Sequence, residues 1–66
     1  MNILLNGEPK QLDNTITIAG LLREMGLAEK RVAVEVNREI VPRSGHAGHQ
    51  LQDQDRVEVV NAIGGG

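Results

Sequence analysis

The residues best suited to chemistry are the last ones, "NAIGGG" from Asn61 to Gly66. An α-carboxyl group has an unperturbed pKa of about 3.3–3.7, so at neutral pH the group at Gly66 is an anion whose oxygens can attack an activated phosphate. No side chain is needed for that step. Gly64 and Gly65 lack a Cβ, which would let the backbone of Gly64, Gly65 and Gly66 enter a channel too narrow for larger residues. Extended chain covers about 3.3–3.6 Å per residue, so the stretch from Val60 to Gly66 reaches on the order of 20 Å from a folded body. Ordering it costs roughly 1–2 kcal/mol per residue, which a docking surface on the body has to offset. Weak, exchangeable binding to successive partners is the expectation. The plain alternative is a frayed end or a cloning remnant, because a glycine run stabilises no fold.

Other groupings are weaker. His46 and His49 have H-x-x-H spacing, which on a helix could place two metal ligands together. Here Gly45, Ala47 and Gly48 surround them, and the sequence has no Cys and no third His, although Asp53 and Asp55 lie nearby. We read an ordinary surface loop and expect no metal. The glycine run is not a phosphate-binding loop, since such loops lead into a helix. No Ser/His/Asp or Cys/His set stands out, and an acid–base pair picked from the carboxylates would have no pocket. A protein that is acted upon fits better than an enzyme.

Composition narrows the classes further. A chain of 66 residues makes one domain and buries only about 60% of its unfolded surface. Without Cys it has neither disulfides nor thiolate metal sites, which suits a reducing cytoplasm. Phe, Tyr and Trp are absent, removing the stacking platforms used for single-stranded nucleic acids. Net charge is −2, with nine acidic and seven basic residues. Phosphate-backbone binding is not suggested, and a basic partner surface is more compatible. The apolar runs are too short for a spanning helix or a signal-peptide core.

The elements that must position the terminus follow from periodicity. Ile3 and Leu5 alternate with Leu4 and lead into Asn6-Gly7, a favoured hairpin pair, with a second strand expected over about Lys10 to Leu12. Ile18, Leu21, Leu22 and Met25 draw one apolar helical stripe, with Thr17 as N-cap and Gly26 as the left-handed residue past its end. Gly20 inside that helix costs about 1 kcal/mol relative to Ala, and close approach of a neighbouring strand would account for it. Val32, Val34 and Val36 form an alternating strand. Ile40 and Val41 form a short one that Pro42 ends at a sheet edge. In the final strand Val57 and Val59 face the core while Glu58 and Val60 face away.

One helix and these strands imply an α+β roll, a mixed sheet of four to five strands with the helix on one face. This is the β-grasp arrangement of ubiquitin, with first and last strands adjacent at the sheet centre. The expected division is a body over residues 1–60 and a flexible tail over 61–66. On the sheet face left open, Leu4 and Val60, with Ile63 on the tail, are the candidate docking residues, flanked by Arg43 and Glu58. Singly exposed aliphatics and charges are ordinary, so these residues need no role individually.

With "ILLNG" near the start, "VEVN" followed by "IVPR" at Ile40 to Arg43, the "LQDQDRVEVV" turn and strand, and the glycine ending, the chain resembles the ThiS family along its whole length. These are ubiquitin-like sulfur carriers of thiamine biosynthesis that end in Gly-Gly. Two departures stand out: Gln54 occupies a position that is commonly Gly, and Gly64 makes the ending a triple glycine. The resemblance implies that a ThiF-like adenylyltransferase uses ATP to adenylate the Gly66 carboxylate. Sulfur ultimately drawn from a cysteine desulfurase then gives a thiocarboxylate, which a ThiG-like thiazole synthase takes into the thiazole ring. It implies no bound cofactor, with ATP consumed by the partner. The related carrier for molybdopterin shares fold and ending and stays open as an alternative. So does a non-covalent ubiquitin-like module in which the glycines are incidental; removing Gly66 separates a carrier from such a module.

Overall fold

The computed structural model describes residues 1–61. The first strand, β1 (Asn2–Leu5), turns through Asn6 and Gly7 into β2 (Glu8–Gln11). Both turn residues have positive φ, at 53° and 85°, as a two-residue type I′ hairpin requires. This turn pairs Leu5 directly with Glu8, so β2 begins two residues earlier than periodicity predicts and Leu12 lies just past its end. Pro9 obscures the strand in the sequence. It stands opposite Leu4, whose own N–H donates to the Asp55 carbonyl on the other side (2.9 Å), so no ladder bond is asked of the proline on this edge strand. Beyond β2, the Met1 ammonium donates to the Leu12 carbonyl (2.7 Å) and Leu12 N–H donates back to Met1 (2.8 Å).

The helix α1 (Ile18–Glu24) buries Ile18, Leu21 and Leu22. Its start satisfies every first-turn donor. Thr17 Oγ1 accepts from Gly20 N–H (3.0 Å), and the Thr17 carbonyl accepts from Leu21 N–H. Ile18 and Ala19 N–H groups donate to the carbonyls of His49 and His46. The loop expected to be an ordinary surface connection therefore closes the helix N-terminus. At the other end Gly26 has φ +77°, Gly26 N–H donates to Arg23 and Leu27 N–H to Leu22, which is the Schellman pattern. The crowding at Gly20 comes from a different source than expected. A Cβ there would lie 2.8 Å from Ile16 Cγ1; the side chain folded over the first turn, not a neighbouring strand, requires the glycine.

β3 (Val32–Val36) and β4 (Glu39–Val41) are joined by Asn37 and Arg38, both with positive φ. A 3₁₀ turn over Arg43–Gly45 follows. β5 (Arg56–Asn61) then runs parallel to β1 on one side and antiparallel to β3 on the other, giving the sheet order β2-β1-β5-β3-β4. First and last strands are thus adjacent at the sheet centre, in the β-grasp arrangement. Asn61 is the last residue of β5, paired with Val32, so the strand runs one residue past the expected body boundary. Asn6 adds a rung at the end of β1, its Oδ1 accepting from Val59 N–H (2.8 Å). One face of the sheet, carrying Ile3, Val34, Val36, Val57 and Val59, packs with Leu12, Leu51 and the buried helix residues into a single core.

Candidate functional site

Ile63, Gly64, Gly65 and Gly66 lie outside the described residues. The structure does define the surface from which they depart. β5 places Arg56, Glu58 and Val60 on the face away from the helix, because Val57 and Val59 are held in the core and a strand alternates sides. Register fills in the rest of that face. Leu4 aligns with Arg56, Glu35 with both Glu58 and Ile40, and Ala33 with Val60. Leu4, Ile40 and Val60 are 38%, 70% and 57% exposed.

The face is therefore not one apolar patch. Leu4 and Val60 are on adjacent strands, but Val60 is four positions beyond Arg56, about 13 Å along the strand, and Glu58 lies between them. Val60 pairs instead with Ala33, at the end where β5 gives way to residues 62–66, while Ile40 on β4 falls in the Glu35–Glu58 row, two residues further back along the strands. Sequence reasoning used Ile40 only to define a strand. A signal was present: "EIV" at a sheet edge can turn only one of Ile40 and Val41 inward. Glu58 does flank the apolar end, and it faces Glu35 directly across the β3–β5 pair. Like charges in that position oppose each other. Arg43 does not flank this face; it lines concavities beside Leu22 and His46 on the helix side.

His46 is the buried polar residue of the core region, 7% exposed. Its Nε2 lies 3.0 Å from the Val41 carbonyl, so that nitrogen carries the proton and donates. The side chain ties the 46–49 loop to β4 while its backbone carbonyl caps α1. His49 is half-buried, and among the described residues no three His, Cys, Asp or Glu side chains gather as metal ligands. Asp53 and Asp55 build the turn into β5. Asp53 accepts from Asn2 N–H (2.7 Å), and with the Gln54 amide this holds its carboxyl below the usual range. Asp55 accepts from Gln52 N–H and the Asn37 amide. Gln54, between them, has φ +75°, the left-handed geometry that favours Gly. No described helix is long and apolar enough to cross a membrane.

Comparison with known proteins bears on what this arrangement serves. A thiazole synthase from Magnetococcus marinus is 46% identical over all 66 residues, which make up 20% of that protein. The chain thus spans about a fifth of its length. The sulfur carrier protein ThiS of Bacillus subtilis is 40% identical over 63 residues, covering 94% of this chain and 96% of that one. The crystal structure of the thiamine biosynthesis protein ThiS from Geobacter metallireducens superposes with a TM-score of 0.86 at 32% identity, covering both chains completely. The ThiS family matches residues 3–66. By that match, and by likeness of fold over its whole length, this chain belongs to the ThiS family.

Proposed function

We propose that the protein is the sulfur carrier of thiazole formation in thiamine biosynthesis, acting through the carboxylate of Gly66. A ThiF-like enzyme joins that carboxylate to the α-phosphate of ATP and releases pyrophosphate. A sulfur nucleophile ultimately drawn from a cysteine desulfurase displaces AMP from the acyl carbon and leaves a thiocarboxylate. A ThiG-like synthase then accepts the sulfur. The carrier is a cosubstrate that binds no cofactor, and the cytoplasm, where ATP and reduced sulfur donors are present, is its compartment. The observation that carries the reading is membership of the ThiS family through residue 66. The thiazole synthases with a matching fifth favour the thiazole pathway over the molybdopterin one, because they associate this fold with the sulfur acceptor.

The body's part is to dock. Five residues follow Asn61 in the sequence, enough for at most about 18 Å of extended chain, so the partner's active site opens near the end of β5. Val60, with Ala33 beside it, is the apolar contact nearest that end, and Ile40 and Leu4 form separate contacts further along the face. Ile63 lies between the body and the glycines in sequence, and in this reading an aliphatic side chain there is a further candidate for contact with the partner.

The test is reconstitution with the activating enzyme. Adding a bulky residue after Gly66 should abolish carrier-dependent ATP–pyrophosphate exchange while the melting curve stays unchanged. Retained exchange, with the added residue still present, would refute the role of Gly66, and no exchange with the unaltered chain would favour a non-covalent module.

A further inference from the structure

The helix side of the molecule carries a feature that sulfur chemistry leaves unassigned. Two concavities, of about 280 and 230 Å³, share Leu22, Ala28, Arg43 and His46 and so form one continuous groove between α1 and the segment after β4. Arg23, Lys30, Arg31 and Arg43 line it. These are four of the seven basic residues in a chain of net charge −2, and no carboxylate lines either concavity. The side chains of Arg23, Lys30 and Arg43 make no ion pair among the described residues. A cation in the last turn of a helix is favoured by the dipole, which accounts for Arg23. It does not account for Lys30 or Arg43, which sit on other segments.

Buried Leu22 gives the groove an apolar base, exposed Ala28 adds a second apolar lining residue, and the remaining lining is strongly cationic. His46 holds one wall through its bond to the Val41 carbonyl. Position supplies the second argument. Val32, which lines the groove, pairs with Asn61 in the last rung of β5. The groove therefore opens beside the point where residues 62–66 begin, within reach of an enzyme that engages the C-terminus.

We propose that this groove docks an acidic peptide segment with apolar side chains, carried by the enzyme that receives the tail. An elongated cationic channel with an apolar base fits a peptide bearing carboxylates on both sides and an aliphatic side chain between them. A compact phosphate would leave the base uncovered. This assignment of the partner rests on the carrier reading, but the groove itself can be probed without it.

Two measurements test the proposal. In the first, the amide resonances of the intact protein are followed while an acetylated, amidated peptide, Glu-Asp-Leu-Glu-Glu-Leu-Asp-Glu, is added. Shifts should cluster at Ala19, Arg23, Ala28, Lys30 and Arg43, and affinity should fall about tenfold between roughly 20 and 300 mM salt, as screening shortens. The Gln/Asn version of the peptide should give no such shifts. Shifts elsewhere, none at all, or equal shifts with inorganic phosphate alone would overturn the peptide assignment. In the second, Arg23→Glu/Arg43→Glu is assayed as substrate of the activating enzyme. KM should rise about tenfold with kcat within about twofold, the pattern of lost docking charge. An unchanged KM would overturn the choice of partner. If the unaltered chain is not adenylated at all, the carrier reading fails, and the peptide titration still decides whether the groove binds acidic segments.

Discussion

The two faces of the central sheet are built from the same strands and do opposite things. On the helix side, Val34, Val57 and Ile3 are buried against Leu21 and Ile18, and aliphatic packing accounts for each of them. On the other side, Val60 and Ile40 remain exposed and Glu35 faces Glu58 across a strand pair. Folding gains nothing from that arrangement and loses some stability to the like charges. The covered face is explained by the stability of a small domain; the proposed docking of a partner would account for the open face.

The contrast can be broken most forcefully at the core. Leu21→Ala should cost about 3 kcal/mol, within the range for buried leucines, and for a domain this small it should leave much of the population unfolded in thermal melts. Val60→Ser should change stability by less than about 0.5 kcal/mol yet weaken binding to the activating enzyme. Similar melting losses for both would erase the distinction between the faces. Next in size is the cap that seats the covering helix: Thr17→Ala should cost about 1 kcal/mol in denaturant unfolding. A fourth substitution concerns the turn that leads into β5. Gln54→Gly should gain up to about 1 kcal/mol by removing a left-handed Cβ, offset in part by glycine's greater unfolded-state freedom. The smallest effect belongs to the open face itself. Glu58→Gln should raise stability by a few tenths of a kcal/mol by removing one of two opposed charges, and a destabilisation would mean that Glu58 has a structural partner.

How much was legible in the sequence follows the same division. Alternation of apolar residues announced β1, β3 and β5, and the Thr17 and Gly26 signals fixed both helix ends, because each rests on local geometry. β2 began earlier than expected because Pro9 looks like a strand breaker until its place on an edge, opposite a residue bonded the other way, is known. The explanation of Gly20 failed because the obstacle, Ile16, is a neighbour in sequence whose side chain folds back. The role of the 46–49 loop was invisible for a related reason: it lies in two backbone carbonyls and one buried ring, and backbone acceptors leave no compositional trace. On the open face the alternation identified which residues point outward. Grouping them needed the β1–β5 register, which places Leu4 beside Arg56 and away from Val60. Net charge was similarly uninformative, since a small negative sum concealed an acidic pair on one side and a basic groove on the other.

The claim on which the account turns is that Gly66 is the reacting residue. It is tested most directly by intact-mass measurement after incubation with ATP, a sulfur donor and the activating enzyme, followed by mapping of the C-terminal peptide. The account predicts a mass gain equal to replacing one oxygen by sulfur, located at Gly66 and lost when thiazole synthase and its other substrates are added. An unmodified terminus under conditions in which the enzyme converts a known carrier, or sulfur located anywhere else in the chain, would contradict it.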